Sequence, residues 1–298
     1  MSAVFKKEFR SNLMSITGIL FIVIMLFVLN WNFILVQLYA KYPNVSFTFV
    51  NFYYIKSVIT GGVPLLTLIL ASMLTMKTFP EERHQKTDIL LYSLPIGAGK
   101  VVMGKYLALV SVFALPFIEF LCFPVIASAY GTVNFAQAYG TIAAYFLLGC
   151  AVIAVCMFLS SLTSSQVICA VMGIAAVLAI YFVPQLANVF SDTPATALGL
   201  LIVLTAAVAA IVYFSTNNPV VALITFGVLG AAEIVIYIVK SDLYEGLAGR
   251  IFNSVALFDK LSGFANGTVD IGAYIYFISF AALFVFFTVQ SFEKRRWN

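Results

Sequence analysis

The sequence predicts an all-α polytopic membrane protein with about eight transmembrane helices, an amphipathic N-terminal helix and a charged segment between its second and third spans. Three observations predict this. First, 63% of the 298 residues are hydrophobic and only 9% are charged, against roughly 45–50% and 25% in soluble domains. So few charges cannot cover a 32.6 kDa chain with a water-facing surface, which excludes a soluble enzyme or a nucleic-acid-binding domain. Second, apolar runs near the ~20 residues that cross a bilayer recur at 14–38, 56–76, 106–128, 138–159, 166–186, 197–214, 219–239 and 271–290. Third, Lys and Arg fall mainly on one side of the spans.

With both termini in the cytoplasm, Lys6, Lys7, Arg10, Lys77, Arg83, Lys86, Lys100, Lys105, Lys294, Arg295 and Arg296 lie inside. Lys41, Lys56, Lys240, Arg250 and Lys260 lie outside. That bias sets the orientation. Six spans, with 197–239 folded back as re-entrant hairpins, would orient the chain the same way. The 197–239 pair is apolar enough to cross, and the polar turn Ser215-Thr216-Asn217-Asn218-Pro219 suits a tight connection, so eight is the expectation. The first run exceeds the 7–15 residues of a signal-peptide core, and Leu38-Tyr39-Ala40 is a poor cleavage site. It is expected to remain as an anchor. The cysteines (Cys122, Cys150, Cys156, Cys169) fall inside predicted spans without a CxxC pair and read as small hydrophobes.

The chain is thus one transmembrane domain, 1–298, with three pieces outside the bilayer. Residues 1–13 place Phe5, Phe9 and Leu13 on one helical stripe and Lys6, Lys7, Glu8 and Arg10 on the other side. This suits a helix lying in the membrane interface, or a plain juxtamembrane anchor. Residues 77–105 are the most charge-dense. Pro80 opens a helix, Glu81 and Glu82 sit at its positive end, and Arg83, His84, Lys86, Thr87 and Asp88 follow before Pro95 and Gly97 stop it. A second short helix then leads through Lys100 and Lys105 into the third span. Residues 77–105 read either as a docking surface for a cytosolic partner or as a solvated loop. Residues 240–270 are external, with Leu243, Leu247, Ile251, Val255, Phe258 and Leu261 at helical spacing between glycines. In the smaller external stretch 42–54, Tyr53 and Tyr54 resemble an interfacial aromatic belt.

Catalytic chemistry is scarce. Gly99 to Tyr106 fits GxxxxGK but ends in Tyr106 where a phosphate loop needs Ser or Thr, and it enters a membrane helix rather than leaving a strand. With His84 as the single histidine, no Ser–His pair within the membrane and no metal ligand set is expected. Two acids, Glu119 and Glu233, fall inside predicted spans. Intramembrane carboxylates are costly, so each lines a substrate path or hydrogen-bonds a neighbouring helix.

The ordered strings Glu81-Glu82-Arg83, Lys86-Thr87-Asp88, Leu90-Leu91, Leu94-Pro95 and Gly104-Lys105 carry a resemblance. It continues through Ser160-Ser161-Leu162-Thr163-Ser164-Ser165-Gln166, Phe258-Asp259-Lys260-Leu261, Phe264, Gly267-Thr268-Val269-Asp270 and Tyr276-Phe277 to Glu293-Lys294-Arg295-Arg296-Trp297. Together these resemble the ABC-2 type permeases, in detail the gliding-motility (Gld) type permease subunits of bacterial ABC transporters.

The resemblance implies a six-helix core, from which this sequence departs by an extra apolar pair around 197–239, and a non-catalytic subunit in the bacterial cytoplasmic membrane. A separate cytosolic ATPase subunit would bind ATP and Mg²⁺, with no cofactor on this chain, and drive export or an extracytoplasmic process. Glu81, Glu82, Arg83, His84, Lys86, Thr87 and Asp88 would form the coupling helix docked on that ATPase, Arg83 pairing with the partner's acids. Phe5, Phe9, Lys6, Lys7 and Arg10 would carry the interface helix. A second permease copy or a related permease would complete the path. A membrane-anchored accessory protein with an extracytoplasmic domain is a further expected partner, and the bilayer, not nucleic acid, is the surroundings. The competing reading is an ion-coupled secondary transporter using Glu119 and Glu233.

Overall fold

The computed structural model describes residues 2–34, 63–87, 97–129, 133–189, 194–216, 219–258, 260–265 and 270–297, and these are helical with short connections. In chain order the helices are α1 (Ser2–Met14), α2 (Ile16–Asn32), α3 (Val63–Thr75), α4 (Pro80–His84), α5 (Ala98–Phe120), α6 (Phe123–Ser128), α7 (Phe135–Leu162) and α8 (Gln166–Val189). There follow α9 (Pro194–Thr216), α10 (Pro219–Val239), a 3₁₀ turn (Ser241–Tyr244), α11 (Leu247–Val255), α12 (Lys260–Ala265) and α13 (Ile271–Trp297). The chain forms two compact units, Met1–Tyr181 with Leu257–Asn298, and Phe182–Ala256.

Five stretches are long and apolar enough to cross a membrane: Ala98–Ser128, Phe135–Leu162, Gln166–Val183, Pro219–Val239 and Ile271–Arg296. Ser2–Met14 with Ile16–Trp31 makes a sixth if that bent pair counts as one span. The expected eight therefore stand at five or six among the described residues. The second expected span is seen only from Val63, since 56–62 lie outside those residues. The sixth expected span, 197–214, lies within α9, a 23-residue helix of largely apolar sequence.

The first apolar run is not a straight continuation of the N-terminal helix. Its axis turns by 67° at Ser15, whose backbone is extended (φ −73°, ψ 147°). Ser15 Oγ caps α2 by accepting from the Gly18 N–H at 3.0 Å and closes α1 by donating to the Asn12 carbonyl at 2.8 Å. One side chain thus serves orphan groups of two helix ends. The turn is tight enough that a Cβ on Gly18 would lie 1.8 Å from the Asn12 carbonyl oxygen.

In the first unit α7 is the central post, buried continuously from Leu148 to Met157. Gly149 lets the Phe113 ring lie where a Cβ would be, 2.2 Å away, so α5 and α7 approach closely. Phe113 and Phe117 continue into a cluster with Phe120, Tyr145 and Phe146, ring centres 5.0–6.4 Å apart. α13 packs along α7. Three tyrosine hydroxyls inside this bundle find partners on a neighbouring helix, in line with the demand that lipid makes on polar groups: Tyr145 with Thr67, Tyr106 with the Cys150 carbonyl at 3.1 Å, and Tyr274 with the Gly140 carbonyl at 2.9 Å.

In the second unit α9 and α10 form an antiparallel pair, with Ala197 and Tyr244 buried among Leu198, Leu201 and Tyr237. The rest of α10 is apolar and exposed, as suits a helix whose solvent is lipid. The helical spacing expected over 240–270 is divided into three short pieces. Gly246, at φ 64°, opens α11 in a left-handed conformation that breaks any continuous helix. The stretch 42–54 with Tyr53 and Tyr54, the turn residues Asn217 and Asn218, and Asp259 and 267–269 lie outside the described residues.

Gly18→Ala drives a methyl into a main-chain oxygen and should cost about 1–3 kcal/mol. Ser15→Ala, which removes only a cap, should cost about 1 kcal/mol. Thermal unfolding of the detergent-solubilised protein should order them that way.

Candidate functional site

Helix α5 buries Val101, Val102, Ala108, Leu109, Val112 and Phe113 on one face, and the same 3.6-residue periodicity carries Lys105 into the middle of it. Its side chain is wholly inaccessible. The ammonium group has three hydrogens to place and three acceptors around it: Glu82 Oε1 at 2.8 Å, Glu8 Oε1 at 3.2 Å and the Thr78 carbonyl at 3.0 Å. The Phe79 ring centre is 5.4 Å away, adding a cation–π contact. Lys7 lies 3.9 Å from the same Glu82 oxygen, so two acids face two cations. Lys105 therefore ties α5, the N-terminal helix and the segment leading into α4.

A second set of bonds ties α4 to the post. Arg83 donates to the carbonyls of Ser161, at 2.6 Å, and Thr163. Arg295, near the end of α13, donates to the carbonyl between them, Leu162, at 2.5 Å. Two guanidinium groups so occupy the negative end of α7, where orphan carbonyls and the helix dipole favour cations. Ser161 Oγ also bonds Ser291 Oγ at 3.0 Å, and Phe79 packs on Phe292. The beginnings of α1 and α5 and the ends of α7 and α13 thus meet around residues 76–87.

Helix α4 ends in a Schellman motif: the Thr87 N–H bonds the Glu82 carbonyl at 2.9 Å, and the Lys86 N–H bonds the Arg83 carbonyl at 3.1 Å. Lys86 takes the left-handed position (φ 53°), where glycine is favoured and a lysine costs about 1 kcal/mol. His84, Gln85, Lys86 and Thr87 are exposed, and Glu81 is half-buried. Asp88 and 89–96, including Pro95, lie outside the described residues.

Several sequence expectations change here. Glu8 is not on the polar outer side of α1 with Lys6, Lys7 and Arg10; it is buried with Asn12 against α5, because Lys105 needs its charge. Phe5 and Phe9 stack on one another, and Phe9 packs against the core, while Lys6, Lys7 and Arg10 are exposed. Lys105, expected among the cytoplasmic cations, is buried. The guanidinium of Arg83 donates within the chain. Lys100 and Lys105 belong to one continuous helix instead of a separate short one, so Gly99 to Tyr106 offers no loop to cradle a phosphate.

The intramembrane acids differ. Glu119 accepts a hydrogen bond from Asn30 Nδ2 at 2.8 Å, which joins α2 to α5. Glu233, in the second unit, has a carboxylate oxygen, Oε2, that is buried without a hydrogen-bond partner among the described residues. Its carbonyl accepts from Tyr244 at 2.9 Å. No group of three His, Cys, Asp or Glu residues among those described could hold a metal.

Lys105→Met leaves the buried Glu8 without its cation and Glu82 with only the distant Lys7, and should destabilise the protein by about 3 kcal/mol. Adding Glu8→Gln and Glu82→Gln should restore a large part of that loss. Unfolding temperatures of the three proteins in one detergent test both steps. Reversing Glu82 and Arg83 together should unfold this end, since both side chains are internal ties.

Residues 32–215 match the family described as ABC-2 family transporter protein, a match that covers well over half of the chain and runs from α2 into α9. Comparison with curated proteins finds no match. The matched stretch contains Glu82, Arg83, Lys105 and Ser161 to Thr163, most of the cluster, within a chain of several membrane-crossing helices. The chain is a multi-pass membrane protein and belongs to the ABC-2 transporter family.

Proposed function

We propose that this chain is the non-catalytic permease subunit of a bacterial ABC transporter, of the gliding-motility type, in the cytoplasmic membrane with both termini inside. A separate ATPase subunit binds ATP and Mg²⁺, docks on the segment around α4 and drives export or an extracytoplasmic process. The observation that carries this reading is the buried Lys105, which links the proposed docking segment both to the N-terminal helix and to a membrane-spanning helix. A push on α4 therefore reaches α5 through the Lys105 cluster and α7 through Arg83. Such ties suit rigid-body switching between two packings of the bundle.

Within the docking segment the roles divide. Glu82 and Arg83 brace α4 from within, while Glu81, His84, Lys86 and Thr87 present its outer side to the ATPase. The conformational cost of Lys86 in the left-handed position supports a contact role for its charge. A second permease copy or a related permease completes the path, and a membrane-anchored accessory protein serves the outer side. For Glu119, the bond to Asn30 favours a helix-joining role over the ion-coupled alternative.

The experiment is a mild-detergent pull-down of the tagged protein from native membranes, with co-purifying chains identified by mass spectrometry and nucleotide dependence measured after reconstitution. An ATPase subunit that accompanies the wild type should be retained roughly two- to fivefold less by Lys86→Glu, the range of one exposed ion pair, with unchanged unfolding temperature. Recovery of the chain alone, with flux that needs no nucleotide and is abolished by Glu119→Gln, would overturn the reading.

A further inference from the structure

We propose that the outward face of α1 and the elbow at Ser15 bind one anionic glycerophospholipid, its headgroup on Lys6, Lys7 and Arg10 and its acyl chains along α2. The inner face of α1 is closed against α5 through Glu8 and Asn12. What remains is an open cleft of about 820 Å³ lined by Lys6, Lys7, Arg10, Ser11, Met14 and Ser15. Lys6 and Lys7 are adjacent, Arg10 stands about one helical turn further on, and all three are exposed. Among the described residues Lys6 and Arg10 make no ion pair, and Lys7 pairs with Glu82 at 3.9 Å.

The identity of the ligand follows from what adjoins these cations. At Met14, 65% exposed, the surface turns apolar and continues down α2 through exposed Ile16, Ile19, Leu20, Val23 and Phe27. The 67° bend directs α1 away from the axis of α2, so the cationic stripe meets the apolar one at a corner. An acidic protein surface would satisfy the stripe on α1 and leave that on α2 bare. A phospholipid carries both halves in one molecule, an anionic head joined to hydrocarbon at the level of the elbow. Basic residues at such a level attract anionic lipid, each by roughly fivefold in affinity, with acyl-chain burial added.

The test uses the full-length permease alone, released from nanodiscs holding equal amounts of phosphatidylglycerol and phosphatidylcholine, with retained lipids counted by native mass spectrometry. The wild type should retain phosphatidylglycerol over phosphatidylcholine by at least about fivefold. Lys6→Gln/Arg10→Gln, which leaves the Lys7–Glu82 contact in place, should bring the two lipids to near parity. Lys294→Gln, an exposed cation on another helix, should change nothing. Soluble glycerol phosphate in excess should fail to displace the lipid, because the contact with α2 is missing; full displacement would mean a phosphate site and overturn the assignment. Equal retention by the wild type, or an undiminished preference in the double variant, would also overturn it. Should the double variant unfold, loss of the wild-type preference at high salt is the equivalent readout, and a salt-insensitive preference counts against the site. None of these outcomes depends on an ATPase subunit.

Discussion

An ammonium group enclosed by protein at the end of a hydrophobic bundle is the constraint around which this molecule is arranged. Taking such an ion out of water costs several kcal/mol even after relaxation, and Lys105 recovers that cost only by placing every hydrogen. Its acceptors come from three separate parts of the chain: Glu8 on α1, the Thr78 carbonyl, and Glu82 on α4. None can move alone without leaving a hydrogen of the buried ammonium unmet. An apolar contact at the same place would tolerate sliding; a charge with three directed partners does not. The cluster therefore holds these elements in one register.

The same logic operates at the end of α7, in weaker form. A helix end exposes carbonyls and a partial negative charge, and Arg83 and Arg295 fill it from two directions. Arg83 is adjacent in sequence to Glu82, so α4 is fastened on one side to Lys105 and on the other to the post. Five residues of helix cannot be stable on propensity alone. Here α4 is kept by its two charged side chains, by buried Phe79 and Pro80, and by its Schellman end. The short helix is thus fastened to the bundle on two sides, while His84 and the residues after it stay exposed.

Deeper in the bundle the solvent changes and so does the rule. Exposed Ile, Val, Leu and Phe on α2, α8 and α10 would be faults in water and are the normal outer surface in lipid. Polar side chains instead need partners, which is why Asn30 and Glu119 join α2 to α5 and why buried hydroxyls such as Tyr145 and Tyr274 each reach a second helix. Gly149 supplies the complementary device, a missing side chain that lets two helices meet closely enough for dispersion to hold them.

The sequence by itself determined that the chain crosses a membrane, roughly where its apolar helices run, that an N-terminal helix precedes the first span, and that a charged segment opens at Pro80. These are local properties, written in composition and periodicity over windows of about 20 residues. The apolar periodicity of α5 runs through Lys105, a local trace of its burial that the charge obscures. Only the tertiary structure decided which charges meet. Glu8 and Lys105 are 97 residues apart, and Arg83 and Thr163 are 80 apart; no local pattern encodes such pairs. The bend at Ser15 and the division of 240–270 into short pieces are likewise outcomes of packing and backbone geometry. A hydropathy pattern states what solvent a segment prefers, whereas an ion pair depends on where two distant segments come to rest.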